Sequence, residues 1–182
     1  MIYDTDMHVD RRHKKTESAI QNALIKLVLD RGYESIKIND LIEEADVNKS
    51  TFYLHYYSLL GVVYALEDQL VSEMLSAWNE SNGELSDRFL SFLSFLTKEK
   101  KKFLTVFAIG DGHFYKKAES TFSPFIEVKE KDKENAIYLR SFLFGGIYGA
   151  IRSYLAFEGR TDKNKLVKLI LGILKMSNEK MD

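Results

Sequence analysis

Only one proline, Pro124, and ten glycines punctuate the 182 residues, so few positions force the backbone out of a helix. Apolar residues then recur with a period near 3.6 through most of the chain, and alternation of the strand type is nearly absent. The expected fold class is all-α. With 45% apolar residues the chain can bury a substantial core.

Ile20, Leu24, Leu27 and Val28 mark an amphipathic helix over residues 16–31, with Thr16 as its expected N-cap. Gly32 follows, where a left-handed residue commonly ends a helix. Ile38, Leu41, Ile42 and Ala45 predict a second helix of about eight residues. Asp46, Val47 and Asn48 interrupt it, and Asn48 is placed to cap a third helix over residues 49–56. Two short helices around a three-residue turn are the helix-turn-helix arrangement, in which the first braces the second against DNA.

Downstream, Ser58 is placed to cap a long helix running to about Trp78, and residues 81–83 form a polar break. Helices are expected over residues 84–96 and through Phe103 and Phe107, with Ser123 and Pro124 as the cap and first turn of another. The charged run 129–134 reads as a solvated connector. Residues 135–157 are apolar nearly all round and need cover on more than one side. Gly159, Arg160 and Thr161 separate them from a last helix over residues 163–176. Met1 to Asp10 carry three aspartates and no apolar run, which predicts a flexible leader and no signal peptide.

The net charge is −1, from 26 basic and 27 acidic residues, so any charge for nucleic acid must be local. No cysteine is present, which removes disulfides and thiolate chemistry and fits a cytoplasmic location. Arg140 and Arg152 interrupt the most apolar stretch, against a membrane span. No phosphate loop or histidine cluster is visible, so neither an enzyme nor a metal or other cofactor is expected.

Residues 12–63 resemble the TetR family of bacterial repressors. The resemblance rests on Ala19, Ile20, Ala23 and Leu27, then Gly32-Tyr33, then Ile38, Leu41, Ala45 and Val47, and then the run from Asn48 to Tyr56 that includes Phe52, Tyr53 and His55, closing with Ser58. It implies a DNA-binding domain over residues 11–62 joined by a linking helix to a helical bundle over residues 63–182. Val47 and Phe52 are the apolar anchors of the third helix, leaving Lys49, Ser50, Thr51, Tyr53 and His55 more outward as hydrogen-bond donors. Similarity to the family implies phosphate contact by Thr51, Tyr53 and His55. Lys37 and Asn48 complete the expected face, and Arg11, Arg12, Lys14 and Lys15 either add backbone contacts or form a solvated tail.

Three departures bear on this face. Asp46 occupies a turn position often held by glycine, Lys37 a position where serine or threonine would cap the second helix, and Leu59-Leu60 a start usually made by lysine and an acid. The resemblance further implies a homodimer through the last two helices, with Gly146, Ile147, Ile151, Tyr154, Leu166, Ile170 and Ile173 as interface residues. Trp78, Phe89, Phe92, Phe103, Phe107, Phe142 and Tyr148 either line a pocket for a small-molecule effector or are simply core. Double-stranded DNA is the expected partner, and a helical adaptor that has lost DNA binding is the alternative.

Overall fold

The computed structural model describes residues 3–157 and 162–179, with side chains from residue 11 onward. Among the described residues the regular structure is helical throughout: α1 (Tyr3–Arg31), α2 (Ile38–Glu44), α3 (Lys49–His55), α4 (Leu59–Glu80), α5 (Leu85–Lys98), α6 (Lys100–Ile109), α7 (His113–Phe122), α8 (Lys133–Ala156) and α9 (Lys163–Glu179). None of these helices is long and apolar enough to cross a membrane. The expected break at 159–161 lies outside the described residues.

The first helix begins well before the expected Thr16. Backbone from Tyr3 onward is helical where a flexible leader over residues 1–10 was expected, and Met1 and Ile2 lie outside the described residues. Thr16 is no cap, because its hydroxyl donates to the Arg12 carbonyl one turn earlier, the bond a threonine makes inside a helix. The helix ends where the sequence indicates. Gly32 adopts φ 80° and its N–H reaches the Val28 carbonyl at 3.0 Å.

A core gathers Ile20, Leu24 and Val28 of α1 against Leu41 of α2 and Phe52 of α3. Gln21 of α1 is buried, and its amide donates to the Tyr56 hydroxyl at 3.4 Å, tying α1 to the end of α3. Helix α4 then leaves this head with Val62, Val63, Leu66, Leu70, Val71, Met74 and Trp78 all buried. It packs on α1 at one end and on α5, α6 and α7 along its length. Helix α1 also lies against α6, so the head is seated on the body along two lines.

The middle of the chain departs from expectation at Ser123. Instead of opening an α-helix, Ser123 and Pro124 form a single 3-10 turn after α7, and its Ser123 carbonyl is closed by the Ile126 N–H at 3.0 Å. Proline supplies no N–H to continue α7, and the chain runs on to Asp132, whose carboxylate accepts from the N–H groups of Glu134 and Asn135 and starts α8.

One ionisable group is sealed inside this packing. Glu67 of α4 is fully buried, with Oε2 2.6 Å from His113 Nδ1 at the start of α7 and Oε1 without a partner. Tyr64 stacks on the His113 ring at 4.2 Å. Burial pushes the Glu67 carboxyl above its ordinary value of 4.5, opposed by the His113 hydrogen bond and aided by the nearby Asp111 charge. The folded chain therefore holds this proton more tightly than the unfolded one, a contribution present below the ordinary value and lost as pH rises through the raised one. The wild type should lose stability relative to Glu67→Gln as pH is raised from 4.5 toward neutrality, in thermal denaturation at matched pH. A difference that is flat, or that grows in favour of the wild type, would contradict this account.

Candidate functional site

The turn between α2 and α3 takes its shape from Asp46, the one non-glycine with positive φ among the described residues, at 51°. Aspartate tolerates this left-handed conformation better than most side chains, and so it stands where glycine would be easiest. Asn48 then caps α3: its Oδ1 accepts from the Thr51 N–H at 2.7 Å and from the Ser50 hydroxyl at 2.6 Å. The carbonyl end of Asn48 is thus committed to holding the helix. At the start of α2, Lys37 has no side-chain acceptor, and the missing cap is partly replaced by Asp40, which accepts from the Lys37 N–H at 2.7 Å and from Arg31 at 2.9 Å.

Helix α3 is held by Phe52, completely buried, with Val47 half-buried beside the same core. Opposite, Lys49, Ser50 and Tyr53 are exposed and Thr51 is half-buried. Lys37 is exposed on the neighbouring helix start, and Arg11, Arg12, Lys14 and Lys15 are exposed along α1. Two further side chains on this surface were not expected: Leu54 is 81% and Tyr57 93% exposed, which is unusual for groups this apolar. For Leu54 the sequence signal was the lack of any core position in the helical period, whereas Tyr57 lies beyond the end of α3.

His55 is a correction. It was expected to point outward, yet its side chain is 94% buried against α1, three residues from Phe52 on the packed side. Its ring lies 4.0 Å from the His13 ring, and its Nδ1 is 3.7 Å from Glu17 Oε1 without a hydrogen-bond partner. Phosphate contact by this imidazole would require it to leave that packing. His13, Glu17 and His55 bring three potential ligand atoms within 4.8 Å, an association across the fold that spacing along the chain conceals. The two imidazoles lie closer than rings radiating from one tetrahedral ion, so a metal would have to part them.

In the body, a cavity of about 680 Å³ opens between α4, α5, α7, α8 and α9. Of the seven aromatic residues singled out as pocket or core, Trp78, Phe89, Phe92 and Tyr148 line it and three do not. Phe103 and Phe107 pack in an aromatic cluster with Phe114, and Phe142 is 75% exposed on the outer face of α8. Arg88, Phe122, Phe125 and Phe144 are lining residues that helical periodicity did not single out.

The expected interface residues also divide. Leu166 and Ile170 are buried within the subunit, where α9 packs on α5, and so are unavailable to a partner. Ile147 and Ile151 line the cavity, and Tyr154 is half-buried against the subunit's own core. Gly146 and Ile173 are exposed. A Cβ added to Gly146 or Gly149 would meet nothing, so these glycines relieve no crowding inside the subunit.

Across 96% of this chain and 99% of the other, the backbone matches the crystal structure of a TetR transcriptional regulator from Streptococcus agalactiae 2603V, with a TM-score of 0.74 at 23% identity. The fold is TetR-like. The dihydroxyacetone kinase operon activator DhaS matches with a TM-score of 0.56 and 14% identity over 90% of this chain and 96% of its own. The fatty acid degradation regulator FadR from Bacillus halodurans matches with a TM-score of 0.61 and 15% identity over 87% of this chain and 94% of its own. No protein-family model and no curated protein sequence matches the chain.

The TetR-like head stands on its turn, and the Asn48 cap joins turn to helix. Asn48→Ala should cost about 1 kcal/mol, because the Thr51 N–H loses its acceptor. Chemical denaturation followed by circular dichroism would read this, and an unchanged midpoint would show that the cap carries nothing.

Proposed function

We propose that this protein is a cytoplasmic transcription regulator, not an enzyme, that binds a palindromic operator as a homodimer and represses until a small-molecule effector occupies the body. The observation that carries the reading is the outer side of α3. A buried Phe52 fixes the helix, and Lys49, Ser50 and Tyr53 stand exposed on a TetR-like scaffold. The start of the helix adds its own partial positive charge toward a phosphate. Leu54, exposed on the same helix, suits contact with a thymine methyl group.

The homodimer is supported by apolar surface with no cover. Ile137, Tyr138 and Phe142 on α8 and Leu169, Ile173 and Met176 on α9 are all exposed, and Gly146, Gly149 and Gly172 leave the helix surfaces between them low. Patches of this kind on two neighbouring helices mark association surfaces, and two α8–α9 pairs would close them as a four-helix bundle. This shifts the proposed interface away from Leu166 and Ile170 and toward Phe142. The effector reading is supported by the cavity, whose size falls in the range of small-molecule sites.

Two outcomes follow. Lys49→Ala should weaken binding to the preferred operator by roughly 1 to 3 kcal/mol and relax preference at one position of each half-site, whereas Tyr53→Phe should weaken all DNA alike by about 1 kcal/mol. Gel-shift titrations on matched and single-base-changed sites would separate these effects. If both variants bind every DNA as the wild type does, a helical adaptor without DNA binding takes the place of this reading. Phe142→Glu should convert a dimer to monomers in analytical ultracentrifugation at micromolar concentration, and a variant that still sediments as the wild type would move the interface elsewhere.

A further inference from the structure

The cavity is mostly apolar, and two residues of its wall each carry a buried donor with nothing to donate to. Trp78 Nε1 and Arg88 Nε are both shielded from solvent and without a hydrogen-bond partner, and both residues line the cavity. They adjoin each other, because the Arg88 guanidinium lies 4.6 Å from the centre of the Trp78 ring while its Nη2 donates to the Trp78 carbonyl at 3.3 Å. No carboxylate among the described residues pairs with Arg88, whereas Lys175, also in the lining, is paired with Glu179. Buried polar groups are almost always satisfied, and two neighbouring exceptions in the wall of one cavity call for an acceptor from outside the chain.

Resting on the effector reading above, we propose that the cavity binds an amphiphilic carboxylic acid, with the carboxylate at Arg88 and Trp78 and an apolar tail among the aromatic and aliphatic walls. The planar guanidinium offers parallel N–H groups that match the two oxygens of a carboxylate, and the indole N–H supplies a further donor. An alcohol of the same tail could accept from one donor but would leave the guanidinium charge unmatched. Glu127 also lines the cavity, and since its repulsion grows with the charge of the head it favours a singly charged acid over a dianion. Met74, Phe89, Phe92, Phe122, Phe144 and Leu171 offer a tail apolar contact, while Tyr148, Lys175 and Asn178 are the other polar members of the wall. Occupancy has a route to the head, because Met74 and Trp78 belong to α4, the helix that begins beside the DNA-binding elements.

Trp78 is the only tryptophan in the sequence, so its fluorescence reports the cavity directly. The full-length protein would be titrated with dodecanoate, 1-dodecanol and dodecyl phosphate, each below its micellar concentration. Dodecanoate should give a saturable change at least roughly tenfold tighter than the alcohol, with the phosphate weaker than the acid. Arg88→Met should remove the preference of acid over alcohol, and Arg88→Lys should keep part of it, with melting curves confirming that each variant is folded. If Arg88→Met does not fold, the three ligands on the wild type still decide the matter. Equal binding of acid and alcohol, or no saturable response to dodecanoate and its shorter and longer homologues, would overturn the proposal. Gel shifts without ligand keep the two readings apart: acid binding by a protein that ignores DNA would refute the regulator and leave this site standing.

Discussion

The burial of one side of α4 is the contact on which both halves of the molecule depend. Val62, Val63 and Leu66 close the head over Phe52 and the apolar face of α1, while Leu70, Val71, Met74 and Trp78 begin the core of the body. Each fully buried aliphatic or aromatic side chain contributes on the order of 1.5 to 3 kcal/mol, and on α4 these contributions are shared between two sets of partners. The head cannot shift relative to the body without disturbing this row. Any displacement of Trp78 in the cavity wall is therefore carried along α4 toward its start at Leu59, beside α3.

Within the row sits an exception, the carboxylate of Glu67. Such a group is costly to bury, and its single close partner, His113, comes from α7 beneath the same helix. The pair therefore fixes the start of α7 against α4, where Tyr64 stacks on the His113 ring.

The outer helices follow a different logic. Helix α9 spends Leu166 and Ile170 on its own subunit and leaves Leu169, Ile173 and Met176 outside, while α8 divides its apolar residues between the cavity and the exposed surface. Hydrophobicity all round α8 is thus explained by two separate demands, a cavity wall on one side and an uncovered face on the other. The exposed Phe142 and the cavity-lining Phe144 lie two residues apart and serve opposite sides.

Much of this was legible in the sequence because it is decided locally. The ends of α2, α3 and α4 depend on short-range chemistry: the caps at Asn48 and Ser58, a glycine at position 32 and the break at residues 46–48. The anchoring of α3 by Phe52 likewise follows from helical period. What the sequence could not decide was the direction in which a residue faces once several helices compete for it. His55 looks like an outward donor along the chain, but α1 passes close enough to bury it against His13 and Glu17. Phe103, Phe142 and Phe144 are equivalent as apolar residues at helical spacing, and only packing assigns them to core, surface and cavity. Arg88 gave no signal at all, since an arginine in a first helical turn is ordinary until its neighbours are found to leave its Nε without an acceptor. Periodicity fixes which side of a helix is apolar, whereas the tertiary arrangement determines what that side meets, because burial depends on contacts between segments far apart in the chain.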